Sequence, residues 1–274
     1  MRSAFLAVLL MATPAAAQQM PIFDAHIHYS HDAVELVPPK EAADLLRKAG
    51  LRKALVSSSD DDGTQRLLAE APDIVVPSLR PYRRRSDASS WTNDPGIIVY
   101  VEDRLKRFKY SAIGEFHAYN ADIEKPVVQR IITLARENNL LLHAHSDADA
   151  IDRIFAADPG AVVLWAHAGF EKPERVREML RKHQNLWSDL AFRNEHVQGE
   201  GVAPDWRAAF DEFPDRFMVG TDTFTPERLH YIGEHANSSR RWLATLPKSL
   251  AERIAYRNSE EMLRRVAPAG GASR

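Results

Sequence analysis

The chain has 274 residues, no cysteine and a formal net charge of −2. Without thiols it holds no disulfide, thiolate zinc site or iron–sulfur cluster, so any metal must be bound through nitrogen and oxygen. The near-neutral balance supplies no general basic field for nucleic acid, the local exception being Arg80, Arg83, Arg84 and Arg85.

The first residues read MRSAFLAVLLMATPAAA. Arg2, an apolar stretch from Ala4 to Ala12, and Ala15-Ala16-Ala17 before Gln18 form the pattern of a secretory signal peptide. The expectation is cleavage near Ala17 and export to the periplasm or the medium. That apolar stretch is too short to span a bilayer as a helix, and no later stretch suffices, so no stable membrane span is predicted. Residues 18–266 come close to the ~250 residues of one (β/α)8 barrel. The last eight, APAGGASR at 267–274, read as a disordered tail.

Strand-like runs follow at 21–28, 51–58, 74–80, 110–116, 140–145, 161–167, 185–191 and 216–221. Most are continuously apolar, as expected of parallel strands covered on both faces. Helical patterns lie between them, among them PPKEAADLLRKAG, DGTQRLLAEAP, KPVVQRIITLARENN and KPERVREMLRKH. Several begin with Pro or Asp near the first turn and several end at Gly or Asn-Asn. Eight such units with right-handed crossovers predict an α/β fold, a closed TIM barrel. An open doubly wound sheet would need a phosphate-binding glycine turn, and no G-x-G-x-x-G is present. The segment RPYRRRSDASSWTNDP after the third run is expected to be the longest loop, polar with Trp91 exposed, and LPKSLAERIAYRNSEEMLRR a closing helix.

The chemistry sits at the ends of these runs. His26 and His28 close the first, Glu115 closes the fourth, His145 the fifth and His167 the sixth, while Asp222 follows the eighth. Residues i and i+2 of a strand share a face, so His26 and His28 can reach one ion. A buried carboxylate such as Glu115 needs a cation, which is a metal or, alternatively, an interior arginine. His143 and His145 also share a face. His145, next to the loop, is the expected ligand and His143 the deeper residue, the reverse assignment being the alternative. Arg80, His117 and His143 are candidates for substrate contact, Arg80 by bidentate pairing with a carboxylate or phosphate. Asp24 and Asp189 face inward as supporting groups, Asp189 toward His167. Gly220 and Thr221 are small enough to let Asp222 approach closely, and Thr225 is the better N-cap for the helix that follows.

The phrases FDAHIH, IGEFH, LLLHAH, LWAHAGF, LWSDLAF, FMVGTDTF and YRNSEEML resemble the amidohydrolase superfamily, in its amidohydrolase-related branch. The strand-four Glu115 resembles that of the TatD-type hydrolases. The resemblance implies a barrel holding one or two divalent ions, zinc foremost, manganese or another ion otherwise. It implies His26, His28, Glu115 and Asp222 around one ion, and Glu115, His145 and His167 around a second. It also implies metal-dependent hydrolysis of an amide, lactone, ester or phosphoester in a small-molecule substrate, with Glu115 and Asp222 catalytic and Asp222 moving the proton. A single-metal decarboxylase or hydratase acting on a carboxylate-bearing substrate is the alternative within the same superfamily.

Overall fold

A computed structural model of the protein describes residues 19–199 and 201–266. The expected leader at 1–17 and tail at 267–274 lie outside the described residues. Eight parallel strands run in chain order around the molecule: β1 (Ile22–His28), β2 (Leu51–Ser57), β3 (Val75–Leu79), β4 (Ala112–His117), β5 (Leu141–His145), β6 (Val163–Trp165), β7 (Leu186–Asp189) and β8 (Phe217–Met218). The ring comes nearly closed where the Ala25 amide donates to the Val219 carbonyl at 2.9 Å and the His28 amide to the Thr223 carbonyl at 2.7 Å. This is the α/β barrel that the strand–helix alternation predicts.

Helices follow the strands and cover the ring. Pro39, Pro126, Pro173, Pro204 and Pro226 each sit in a helical first turn, where the missing N–H has no helical partner to lose. The helix Pro126–Glu137 buries Val127, Val128, Ile131, Ile132, Leu134 and Ala135 and leaves its polar residues outside. Inside the ring, Phe23, Leu55, Leu141, Leu164, Trp187 and Met218 fill the N-terminal end, joined by Met262 and Val266 of the last helix, Asn258–Val266. That plug leaves the C-terminal strand ends as the open end. Among the described residues no helix is long and apolar enough to cross a membrane.

One expectation needs correction, and one small element was not expected. Trp91 is 1% exposed, not exposed. Two short 3₁₀ turns, Arg85–Ser89 and Trp91–Asn93, fold the segment back, and the Trp91 indole donates to the His117 carbonyl at 2.7 Å while packing against Tyr82 and Phe116. The polar residues around Trp91 pair among themselves and hide this: Arg83 and Arg84 both reach Asp87. A small antiparallel hairpin, Val197–Gln198 with Gly201–Val202, was also not anticipated. Two-residue strands carry too little alternation to register as pattern.

Candidate metal centre

Six side chains, His26, His28, Glu115, His145, His167 and Asp222, from four strand ends and the loop after β8 converge at the open end. The Nε2 atoms of His26 and His28 lie 3.1 Å apart. A register shift in β1 between Asp24 and Ile27 re-aims these two residues toward each other. His28 Nε2 is 3.1 Å from Glu115 Oε2 and 3.2 Å from Asp222 Oδ1. His26 Nε2 is 3.5 Å from Glu115 Oε1 and 3.5 Å from Asp222 Oδ1. His167 Nε2 stands 3.6 Å from Glu115 Oε1 and 3.9 Å from Asp222 Oδ2. Two donors each ~2.1 Å from one ion are roughly 3.0–3.4 Å apart at bond angles of 90–109°. The separations fall at or near that span, so this nitrogen–oxygen set fits a divalent cation.

The supports are built in. The other ring nitrogen of each histidine is engaged: His26 Nδ1 with Asp189 at 3.1 Å, His28 Nδ1 with the Ser57 hydroxyl at 2.8 Å, His167 Nδ1 with the Ala191 carbonyl at 3.0 Å. Such partners fix the tautomer and aim of a ligand. Asp189 supports the His167 backbone amide rather than its ring, and its second oxygen also meets His143 at 3.4 Å. Asp24 accepts from the Thr221 hydroxyl and amide, which anchors the residue before Asp222, and burial pushes its carboxyl up to about 6. A Cβ on Gly220 would stand 3.1 Å from the Cβ of His26 and 3.2 Å from that of Asp189, so the small residue does permit the close approach. Thr225 caps the following helix through its side chain.

His167 and Asp222 have left-handed backbones, with φ of 56° and 46°. His167 belongs to a run with Ala168 and Gly169, all at positive φ. The buried Arg193 holds that run from outside, donating to the carbonyls of His167 at 2.8 Å and Glu171 at 2.5 Å and lying over the Trp206 ring. Sequence reasoning missed Arg193, since a lone arginine in a loop reads as solvated.

The remaining candidates divide. His145 stands at the mouth, its Nδ1 2.8 Å from Glu115 Oε1, and His143 lies a layer deeper, 2% exposed. His143, a candidate for substrate contact, does not line the pocket; burial and the neighbouring His26 push its pKa down to about 4. His117 does line the pocket, its Nδ1 3.0 Å from the Tyr82 hydroxyl, and burial brings its pKa down to about 4. Arg80 is not free: it donates to the Glu115 carboxylate at 2.8 Å and carbonyl at 3.0 Å. The interior arginine weighed as Glu115's alternative partner is therefore present alongside the histidines. Burial disfavours a proton on His26, but Asp222, Asp189 and Glu115 outweigh it and hold the pKa well above the ordinary value. Burial likewise opposes ionisation of Glu115, yet His26, His145 and His167 hold its pKa well below the usual carboxylate range. The cluster thus attracts positive charge. Above it opens a pocket of about 280 Å³ lined by His28, His31, Arg80, Arg85, His117 and Phe224 among others.

The profile of the amidohydrolase family matches residues 103–265. No curated protein matches the chain. Among solved structures, a TIM-barrel protein from Bordetella bronchiseptica superposes with a TM-score of 0.60 at 14% identity, over 90% of this chain and 99% of that one. An organophosphorus hydrolase from Deinococcus radiodurans gives 0.58 at 12% identity, over 90% and 93% of the two chains. An amidohydrolase from Burkholderia multivorans with bound zinc gives 0.51 at 14% identity, over 89% and 99%. At these identities the likeness is one of fold.

Proposed function

This chain belongs to the amidohydrolase family, and from that premise we propose that it hydrolyses an ester, lactone, phosphoester or amide bond of a small molecule with a divalent ion held by His26, His28, Glu115, His167 and Asp222. The observation that carries the reading is the set of 3.1–3.5 Å separations among His26, His28, Glu115 and Asp222. A divalent ion supplies a Lewis acid for a carbonyl or phosphoryl oxygen and makes water nucleophilic near neutral pH. Zinc suits the nitrogen–oxygen set, and manganese is the alternative. A second ion would take Glu115 and His145, with His167 or the nearby His117 completing the set.

The side chains have distinct tasks. Burial works against a charged Asp222, but His26 and His28 hold its pKa down at about 2, so it is a carboxylate at neutral pH. With 13% of its side chain exposed toward the pocket, it takes the proton from the attacking water and delivers it to the leaving group. His117, neutral at pH 7, accepts from or donates to substrate at the mouth without adding charge. Glu115 is held by Arg80 and His145 and keeps one orientation through turnover.

The decarboxylase alternative draws on Arg80 as a holder of the reacting carboxylate, alongside the His-x-His, His and Asp set that both readings share. The bond of Arg80 to Glu115 weighs toward hydrolysis. The test is elemental analysis of purified protein, then lactone, ester, amide and phosphoester substrates assayed before and after chelation. We expect at least one ion per chain and activity that chelation removes and divalent metal restores. Carbon dioxide release from unsaturated or aromatic acids by metal-loaded protein that cuts none of the four bond types would sink the proposal.

A further inference from the structure

The arginine segment does not act as one patch. Arg80 is committed to Glu115, Arg83 to Asp87 and Asp94, and Arg84 to Asp87. Arg85 is exposed, forms no ion pair among the described residues, and lines the pocket above the candidate metal centre. His31 shares that rim, and burial together with Arg85 and Arg80 depresses its pKa, so it is neutral at pH 7. Asp32 also lines the pocket and pairs with neither Arg80 nor Arg85 among the described residues.

Resting on the hydrolase reading above, we propose that Arg85 determines specificity by binding a carboxylate of the substrate, remote from the bond that is cut. In the hydrolase reading the base of the pocket, with Glu115 and Asp222, is taken up by the ion and the bond to be cut, so a second, non-reacting carboxylate is placed at the rim, where Arg85 stands. A free guanidinium pairs with a carboxylate through two parallel hydrogen bonds. One uncommitted guanidinium balances one negative charge, which favours a carboxylate over a phosphate dianion. A pocket of about 280 Å³ is at the small end of ligand sites, so carboxylate and scissile bond are only a few bonds apart. The carboxylate is a handle here, whereas in decarboxylation it would be the reacting group.

The test compares mono-4-nitrophenyl glutarate, which carries a carboxylate, with the neutral 4-nitrophenyl pentanoate, and measures glutarate binding by calorimetry on the protein as purified. In R85Q the preference in kcat/KM for the charged ester should fall about tenfold, mainly through KM, and further in R85E. R84Q, whose residue points to Asp87, should keep the preference. Glutarate binding should weaken about tenfold in R85Q. Chelator-sensitive hydrolysis without any charge preference, or a preference and glutarate affinity in R85Q within twofold of the parent, would overturn the assignment while leaving the hydrolase reading intact. Glutarate binding that R85Q weakens, in a protein that cuts neither ester, would support Arg85 as the carboxylate site and count against the hydrolase reading.

Discussion

Asp189 bonds to the rings of His26 and His143 and to the backbone amides of His167 and Ala191. Asparagine keeps the shape but turns an NH2 toward groups that need an acceptor. Asp189→Asn should therefore weaken metal affinity by about 10–100-fold while leaving the circular dichroism spectrum unchanged. Metal retained through dialysis as in the parent would refute this. His143 makes a prediction in pH. Burial and the neighbouring His26 hold its folded pKa down at about 4, against the ordinary imidazole value of 6.5, so the unfolded chain binds the proton more readily. Stability from this group is complete above pH 6.5 and declines as pH falls toward 4. At pH 5 the loss is about 2 kcal/mol. His143→Asn should flatten the fall in Tm between pH 7 and pH 5, and equal slopes for parent and variant would rule out the assignment.

The turn Ala166–Phe170 is the element that sets His167, and it tolerates little change. Gly169 has φ +63°, and a Cβ there would lie 2.2 Å from the Trp165 ring. Gly169→Ala should cost on the order of 3 kcal/mol, read as a drop in Tm, through strain and overpacking together. Arg193→Met removes the donor to the His167 and Glu171 carbonyls, and the metal content of that variant should fall with its Tm. A full metal complement in Arg193→Met would show that the turn holds its own shape. This turn also marks the limit of what the sequence reveals. The donors were legible because each closes, or directly follows, its own apolar run, and parallel strands put those ends on one side. The order of His143 and His145 was legible from the loop that follows His145. The pairing of Arg80 with Glu115 was only weighed, as one unnamed interior arginine, because it runs between neighbouring strands whose register no local pattern encodes. Trp91 was misjudged because its polar neighbours satisfy one another and leave the ring facing inward. Left-handed residues such as His167 and Phe192 carry no glycine or asparagine to announce them.

At the scale of the whole molecule, the leader pattern predicts a mature N-terminus at Gln18, and intact-mass measurement finding Met1 on protein from its native host would refute cleavage. Bound metal should also raise Tm by several degrees over chelated protein, since an ion that binds only the folded ring stabilises it by mass action. The seam between β1 and β8 gives this a direction in time. His26 and His28 come from the first strand, and Asp222 from beyond the last, so they meet only where Ala25 bonds to Val219 and His28 to Thr223. A chain ending before Asp222 lacks one wall of the site, and a truncation at residue 216 should not capture zinc with the affinity of the full chain. Equal affinity in that fragment would place the ion elsewhere. Metal capture is thus a late event, possible only after synthesis has passed the eighth strand and the ring has shut. Were the leader pattern to direct export ahead of folding, the choice of ion would fall to the compartment in which the ring closes, and the same donor atoms would meet whichever divalent metals that compartment supplies.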